Sequence, residues 1–330
     1  MDSYNQLQEE RRNVGSVATT FGIGIGQDGS LERPDQTSGY LRKDITYSEY
    51  NYDIMFKYNK DITEKINLSG VVGTNIRRTN LDWVMSATNG GIGVPGLFSL
   101  QNSLAPVPYP KESSEKIGVN GIYGSLSVGF DRFVFVDATL RRDHSSTLPA
   151  DNSVFYYPSI ATSIVFSELL PLEWLSFGKL RLSYAEVGNS AGFDQIMDTY
   201  DVYAGLNGGL TSVAGTKKNP DLKPEKSKSI ETGLEMNFLN NRVGFDIAYY
   251  KVNTIDQILP VRVSSATGYN FKVINAGEIE NNGIELSLRA TPYTKSNFKW
   301  DVAINWAKNN NEVVALTEGL DNLQLGSFQG

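Results

Sequence analysis

Residues 229–250, SIETGLEMNFLNNRVGFDIAYY, decide the fold class of this chain. In Ser229–Phe238, apolar and polar side chains alternate strictly, and Val243–Tyr250 repeats the alternation. A period of two is the pattern of a β-strand with one apolar and one polar face. Leu239–Arg242 lies between the two segments and contains two asparagines, which tolerate positive φ in turns. The sequence therefore predicts a β-hairpin here.

The same alternation predicts four further hairpins, so the chain reads as five consecutive hairpins and about ten strands within residues 43–310. We expect an irregular segment over residues 1–42, a loop over 311–330, and one partial barrel domain over 1–330. The four hairpins are Tyr50–Tyr58 with Lys65–Arg77, Val119–Phe130 with Phe133–Asp143, Phe155–Phe166 with Lys179–Val187, and Ile284–Ala290 with Phe298–Trp306.

The connections between these strands are short within hairpins and mostly long between them. The long connections are Arg78–Gly118, His144–Val154, Gly188–Lys228 and Asn253–Glu278. Short turns at one end and long loops at the other are typical of up-and-down outer-membrane barrels, whereas a Greek-key sandwich mixes the lengths. The strands are also long enough for the roughly 9–11 residues that cross a bilayer. The fold class predicted is an all-β, antiparallel, up-and-down transmembrane β-barrel.

The two phases of each strand carry different chemistry. We assign the apolar phase, including Ile247 and Leu286, to the lipid. The neighbours Asp246 and Glu285 are assigned to the lumen, where water solvates them. Charge changes at Asp246 and Glu285 are therefore expected to be nearly neutral for folding. A register error of one residue would invert this assignment.

Composition excludes several classes of function. The chain has 330 residues, 30 Lys+Arg against 37 Asp+Glu, and a net charge of −7, which argues against nucleic-acid binding. There is no cysteine and only one histidine, so thiol chemistry, disulfides and a metal site are not predicted. No cofactor is predicted. No apolar run reaches the ~18 residues of a transmembrane helix.

Catalysis is also not predicted. His144 stands between Asp143 and Ser145, but a triad needs a third member and an oxyanion hole, and neither is readable from the sequence. We expect His144 to lie in a loop and the protein not to be an enzyme.

Four motifs point to a family. Asn219–Ser229, NPDLKPEKSKS, followed by Glu231 and Gly233, resembles a conserved strand entry of TonB-dependent outer-membrane receptors, in the form typical of the SusC/RagA branch. The three other segments that are similar to that branch are Arg142–Pro149 (with His144 where a Trp is expected), Tyr157–Ser159 with Gly178–Asn189, and Asn275–Glu285.

The resemblance implies an outer-membrane importer of glycan or peptide nutrients in a Gram-negative bacterium. It further implies contact with outer-membrane lipid, a SusD-like surface lipoprotein as partner, and the TonB complex as energy source. Family members have a signal peptide, a plug domain and a barrel of about 22 strands. Neither a signal peptide nor a plug domain is recognisable in this sequence, and the chain ends without a terminal aromatic residue. We therefore expect an internal barrel fragment without the plug.

Candidate substrate contacts lie in the longest connection, where aromatic rings beside acids suit sugars or peptides: Phe193, Tyr200 and Tyr203. The alternative is that these rings pack the loops against one another. The alternative function is an extracellular β-rich carbohydrate-binding or adhesin domain. A sandwich of that kind would bury Phe245, Ile247, Leu286 and Val302 between two sheets. A barrel protease or lipase is a third hypothesis, which no residue constellation supports.

Overall fold

The structure, a computed structural model, describes residues 2–13, 38–170, 172–205 and 208–316, without the side chains of 203–205 and 208. In the described ranges, no helix has the length and apolar character needed to span a membrane. The chain divides into two compact units. Unit 1 comprises Met1–Tyr52, Ile76–Gly118 and Val202–Thr211, and unit 2 comprises Asp53–Asn75, Val119–Asp201 and Ser212–Gly330.

The described residues form eighteen β-strands and four short 3-10 turns. The strands are β1 Asp2–Arg12, β2 Gly39–Asp61, β3 Ile66–Ala87, β4 Asn89–Ile92, β5 Ser103–Ala105, β6 Lys111–Phe130, β7 Val134–Ser145, β8 Val154–Ile164, β9 Leu175–Asn189, β10 Tyr200–Gly205, β11 Gly208–Val213, β12 Thr216–Lys217, β13 Glu225–Phe238, β14 Val243–Ile255, β15 Ile258–Arg262, β16 Phe271–Asn275, β17 Glu278–Lys295 and β18 Phe298–Ala315. The 3-10 turns are Leu100–Asn102, Ala150–Asn152, Phe166–Glu168 and Ser265–Thr267.

Eleven strands form the main sheet, in the order β1-β2-β3-β6-β7-β8-β9-β13-β14-β17-β18. Neighbours in the sheet are neighbours along the chain, so the all-β, up-and-down prediction is confirmed. The additional strand is β1, which corrects the expectation of an irregular segment over residues 1–42; residues 14–37 lie outside the described part. The loop expected over 311–330 begins later, because β18 continues to Ala315; residues 317–330 are not described.

Tight turns close the hairpins of unit 2 where the sequence predicts them. Asp131 and Arg132 both have positive φ, 45° and 61°, as a two-residue turn between twisted strands requires. Between β13 and β14, Leu239, Asn240 and Asn241 have φ of 52°, 56° and 64°. Asparagine accepts this region readily, whereas Leu239 adopts it at some cost because of its bulkier side chain.

The links of unit 2 differ in length. Tight turns follow β2, β6, β13 and β17, the links after β7 (146–153) and β8 (165–174) are of intermediate length, and the links after β9 and β14 are long and carry strands β12, β15 and β16. Because successive strands are antiparallel, the links after β7, β9 and β14 gather at one end of the sheet of unit 2, here called the long-link end, and the links after β6, β8, β13 and β17 at the other, the short-turn end.

One face of the sheet in unit 2, here called the apolar face, is the face that carries Ile247 and Leu286. These residues are directly opposite each other, and an apolar side chain continues the row in each strand from β6 to β18. The row is Phe130, Val134, Ile164, Leu180, Leu234, Ile247, Leu286 and Trp306. Ile247 is 39% exposed, and Phe245, Leu286 and Val302 are only partly buried, so no second sheet among the described residues covers them. The apolar face therefore lacks the cover that a sandwich would supply.

The opposite face, here called the polar face, carries Arg181, Glu235, Asp246 and Arg289 on four adjacent strands. The Arg181 guanidinium donates two hydrogen bonds to the Asp246 carboxylate, at 2.7 and 3.0 Å. Arg289 donates to Glu235 at 2.8 Å, and Arg181 also lies 3.7 Å from Glu235. Asp246 is thus held by an ion pair rather than by water alone, which revises the expectation that charge changes there are neutral. Glu285 is exposed, as expected.

Gly233 makes room for this ion-pair network. It lies directly opposite Arg181, and a Cβ at Gly233 would stand 2.7 Å from Nη2 of Arg181. A side chain here would displace the guanidinium, which is the flexible end of its residue.

Gly233→Ala should therefore lower the unfolding free energy of the protein by about 1 kcal/mol, the scale of a partly exposed charged pair. Urea unfolding in lipid vesicles measures this value. The matched control is Gly192→Ala, because no heavy atom lies within 4 Å of a Cβ there. In an Asp246→Asn background, Gly233→Ala should add little, since the bond it breaks is already weakened; full additivity would contradict the mechanism.

Unit 1 contains the pairing of β1 with β2, in which Gln6 faces Ile45. A small buried cluster forms at the start of β2: Tyr40 N–H donates to Thr88 Oγ1 at 2.9 Å, and Ile92 N–H donates to Ser38 Oγ at 3.1 Å. These bonds satisfy backbone donors that would otherwise be buried without partners.

Candidate functional site

The links after β7, β9 and β14 of unit 2 pack around a shared hydrophobic core. This loop core consists of Leu148, Phe155, Ala191, Leu222 and Val273, which come from the links after β7, β9 and β14 and from β8. Three links that are distant in sequence thus share buried apolar surface, which holds them together at one end of the sheet of unit 2.

The segment Asn219–Glu225 ties the loop core together. Asn219 N–H donates to the carbonyl of Gln195 at 3.0 Å, and its side-chain Oδ1 accepts from Asp221 N–H at 3.0 Å. The second bond is an Asx turn, which bends the chain. The bend directs Leu222 into the loop core, where it is fully buried (0% exposed).

Asn275 clamps this segment to the link after β14. Its Oδ1 accepts from Lys223 N–H at 2.8 Å, and its Nδ2 donates to the Lys223 carbonyl at 2.8 Å and to the Asp256 carbonyl at 2.9 Å. One side-chain amide therefore satisfies three backbone groups, as a short β-bridge would.

The link after β7 is attached in a similar way. Asn152 Nδ2 donates to the carbonyls of Leu222 and Asp221 at 3.1 and 3.3 Å. Nearby, Ser145 is buried, and its N–H donates to the Ser153 carbonyl at 2.9 Å. Segments that stand about 50–125 residues apart in the sequence thus meet around one core.

A cleft of about 400 Å³ lies beside the loop core in unit 2. Glu225 connects two sides of this cleft by hydrogen bonds. Its Oε1 accepts from Ile258 N–H at 2.9 Å, and its Oε2 accepts from Asn189 Nδ2 at 3.0 Å. The lining residues are Asn189, Ser190, Ala191, Gly192, Gln195, Thr216, Lys218, Glu225, Ile258, Pro260 and Val273.

Lys218 is the cation of this cleft, and its side chain is only 14% exposed. Its Nζ donates to the Asp194 carbonyl at 2.6 Å and lies 3.2 Å from the Asp194 carboxylate. The cleft therefore presents one ammonium, one carboxylate and several amide and hydroxyl groups. Such a set can hydrogen-bond a polar ligand, but it contains no nucleophile with a neighbouring base.

A second ion pair joins Asp198 to Lys217, and Lys218 N–H also donates to Asp198 Oδ1 at 2.9 Å. The hydrogen bond from Lys217, followed by that from the Lys218 N–H, lowers the pKa of Asp198 below its ordinary value of 3.8. A carboxylate whose pKa is lower in the folded state stabilises the fold fully above its unfolded pKa. That contribution disappears as the pH falls through the lower, native pKa.

We expect acid to loosen this part of the link after β9. Pepsin should cut it faster as the pH falls from about 4 to 2, relative to its cutting of the link between β3 and β6 in the same molecule, because Asp198 becomes protonated. Asp198→Asn should be cut readily at every pH in this range and show no such step. A wild-type cutting ratio that is constant with pH would contradict the role of this carboxylate.

The three predicted contact residues are placed as follows. Phe193 follows the cleft residue Gly192 and is 39% exposed, and Tyr200 begins β10 and is 68% exposed. Tyr203 lies in β10, but its side chain is outside the described part of the structure. Within that part, no ring contact joins Phe193 to Tyr200. The sequence analysis did not select Lys218 or Glu225. Lys218 directly precedes the motif that begins at Asn219, and Glu225 belongs to that motif.

The side chains of Asp143, His144 and Ser145 are not arranged as a catalytic triad. His144 lies in β7 rather than in a loop, exposed and opposite Asn120, which corrects the expectation. Asp143 accepts instead from Arg141 at 2.8 Å and from Tyr157 at 3.2 Å, and Ser145 is bonded to Thr147 at 2.9 Å. Across the described residues, no group of three or more His, Cys, Asp or Glu side chains is placed to hold a metal ion.

Comparison with known proteins identifies relatives of this chain. The family model described as "TonB dependent receptor-like, beta-barrel" matches residues 3–325. TonB-dependent receptor P26 of Formosa agariphila is 28% identical over 291 residues, covering 84% of this chain and 29% of that protein. TonB-dependent receptor SusC of Bacteroides thetaiotaomicron is 31% identical over 212 residues, covering 60% of this chain and 21% of that protein.

Among solved structures, the RagAB peptide transporter superposes with a TM-score of 0.76 at 23% identity, over 87% of this chain and 32% of that one. At this identity the likeness establishes the fold. The chain spans about one fifth to one third of the length of these relatives.

Proposed function

This chain belongs to the TonB-dependent receptor-like β-barrel family, and from that premise we propose that it forms part of an active importer of oligosaccharide or peptide nutrients. The resemblance to the SusC/RagA branch is confirmed by the similarity to SusC and by the fold shared with RagAB. The protein lies in the outer membrane of a Gram-negative bacterium, with its sheet as barrel wall. The apolar face contacts lipid, and the polar face lines the lumen.

One observation carries the proposal. At the long-link end of the sheet, the links after β7, β9 and β14 are packed together around the loop core. In outer-membrane barrels the long loops are extracellular, so the cleft lined by Lys218 and Glu225 is at the side where nutrients arrive. The cleft offers donors and acceptors, with an exposed ring at Phe193 beside it. Rings and polar groups together suit both sugars and peptides. In this proposal the cargo passes through the barrel without being transformed.

A SusD-like surface lipoprotein is the proposed partner, and the TonB complex the proposed energy source. Apolar side chains on β10 and β11 support a partner: Val202 is 73% exposed and Leu210 is 65% exposed. Exposed apolar surface on an extracellular link is typical of a protein–protein contact.

The test is uptake by cells that lack the full-length receptor gene. We expect such cells to lose uptake of a fluorescent oligosaccharide mixture or of a peptide mixture, and to regain it with the wild-type gene. A protonophore should abolish the restored uptake. Unchanged uptake of both mixtures would remove the import proposal, and crosslinking that captures no SusD-like lipoprotein would remove the partner.

Variants then test the contact residues. Phe193→Ala and Tyr200→Ala should reduce uptake at low cargo concentration without changing the amount of receptor in the membrane. Phe271→Ala is the control for Phe193, because this ring is exposed to a similar degree (36% against 39%) but lies in another link. Equal losses in all three variants would contradict a specific role for Phe193 and Tyr200.

A further inference from the structure

The short-turn end of the sheet of unit 2 contains a second cleft, of about 630 Å³, here called the short-turn cleft. It lies between the turn from β2 to β3 and the turn from β6 to β7. A hydrogen bond of 2.7 Å from Asp131 N–H to the Lys65 carbonyl joins the two turns. The volume is within the range of small-ligand sites. Because the short turns of outer-membrane barrels are periplasmic, this cleft and the cleft lined by Lys218 and Glu225 open on opposite sides of the membrane.

An aromatic ring lines the short-turn cleft from the polar face. Phe135 follows Val134 of the apolar row, so its side chain belongs to the opposite, polar face. The other residues of β7 on this face are polar: Asp137, Thr139, Arg141, Asp143 and Ser145. Phe135 is 37% exposed. A ring that faces the aqueous lumen is not stabilised by lipid, and its exposed surface is available to a ligand.

Gly129 sets the position of this ring. It is directly opposite Phe135, and a Cβ there would stand 3.4 Å from the ring carbons Cδ1 and Cε1. The ring therefore rests against the backbone of Gly129, and its exposed part lines the cleft. The face of an aromatic ring is electron-rich, so it attracts the slightly positive C–H groups that cover one face of many sugar rings.

A hydrogen-bonded polar pair lies beside the ring. Asn67 Nδ2 donates to Asp61 Oδ1 at 2.8 Å and to Asn59 Oδ1 at 3.3 Å. The Asn67 Cβ is 3.8 Å from the Cβ position of Gly129, so this pair shares the face of the Phe135 ring. Asp61 and Asn67 both line the cleft and are exposed. Carboxylate and amide oxygens accept hydrogen bonds from hydroxyl groups, and here the bond between the two side chains fixes their orientation.

The charges of the short-turn cleft nearly cancel. Its lining has three carboxylates and two cations: Asp61, Glu64, Asp131, Lys65 and Arg132. Lys65 Nζ lies 3.4 Å from the Asp131 carboxylate. An aromatic ring beside oriented acceptors, with little net charge, suits a neutral ligand that has many hydroxyl groups.

We propose that the short-turn cleft binds a neutral oligosaccharide at the periplasmic mouth of the barrel. The ring of Phe135 stacks on one sugar ring, and Asp61 and Asn67 accept hydrogen bonds from its hydroxyl groups. This inference rests on the proposed import function, and it adds a second binding site that imported sugar reaches after passing along the polar face.

The experiment uses the full-length receptor in mild detergent, with maltohexaose, cellohexaose and laminarihexaose as separate probes. Hydrogen exchange locates binding. For at least one hexaose, at about ten times its dissociation constant, exchange in residues 61–67 and 129–135 should slow by about tenfold. Phe135→Leu, which keeps an apolar side chain against Gly129 but loses the flat ring, should abolish this slowing. Asn67→Ala should weaken it, and Phe135→Tyr should retain it.

Phe130→Leu is the matched control, because Phe130 is 41% exposed at the same end of the sheet but lies on the apolar face. It should leave the slowing unchanged. Absence of slowing in residues 61–67 and 129–135 with all three hexaoses would overturn the proposal, as would slowing by a tryptic peptide mixture alone. Slowing confined to residues 189–195 and 216–225 would overturn this site and leave the import proposal standing. Binding is measured without transport, so a loss of import in the uptake experiment is a separate result.

Discussion

Replacing Ile247 or Leu286 with arginine should reduce the folding free energy of the receptor by about 2–4 kcal/mol, the cost of an Arg at the bilayer midplane of a barrel. The two side chains face each other in the middle of β14 and β17, on the apolar face. Each guanidinium would enter hydrocarbon, away from the charged residues at the ends of the strands. Heat-modifiable gel mobility after assembly, and urea titration of the receptor folded into vesicles, measure the effect.

The matched control is Glu285→Arg, which introduces the same side chain one residue from Leu286 but on the polar face. Glu285 is exposed there, and its partners across the sheet are Ala248 and Ala307, so an arginine meets water and small side chains. Its effect should stay within about 0.5 kcal/mol. Normal assembly of the Ile247 and Leu286 variants together with failure of Glu285→Arg would invert the assignment of the two faces.

Leu222→Ala should loosen the linked extracellular segments by about 2–5 kcal/mol, the range for removing a buried leucine side chain. Leu222 is fully buried among Leu148, Phe155 and Val273. Because this core belongs to the links, the loss should appear as local opening rather than as unfolding of the strands. Hydrogen exchange of the assembled receptor should show faster exchange in residues 219–225 and 271–276, with the strands of unit 2 unchanged.

Leu210→Ala is the control for this prediction, because Leu210 lies in the same link between β9 and β13 and is 65% exposed. It should leave the exchange of both segments unchanged. If Leu222→Ala altered only residues 219–225, the three links would not be coupled through the loop core, and the cleft beside it would lose its common support.

The hairpins could be predicted because their signals are local. Alternation in Ser229–Phe238 places one set of side chains on each face whatever the rest of the chain does, and Asp131-Arg132 suits a two-residue turn. Strand ends were less predictable. β2 runs over Gly39–Asp61, well beyond the predicted Tyr50–Tyr58. Its hydrogen bonds to β1 continue over residues 39–49, where apolar and polar side chains do not alternate regularly.

The candidate site was predicted only at its edges. Phe193 and Tyr200 were selected because aromatic rings are conspicuous in a sequence, whereas Lys218 and Glu225 resemble any other surface charges. Their place in a cleft follows from Asn275, Asn152 and the loop core, which join segments far apart in the chain.

The sequence by itself determined that the chain is a series of antiparallel hairpins with one apolar and one polar face, because side-chain alternation is a property of neighbouring residues. Only the tertiary structure decided that Asp246 is held by Arg181 and that distant segments meet around Leu222. These features depend on strand register and on the packing of links against one another. Both are fixed by contacts between distant segments, and no single strand contains that information.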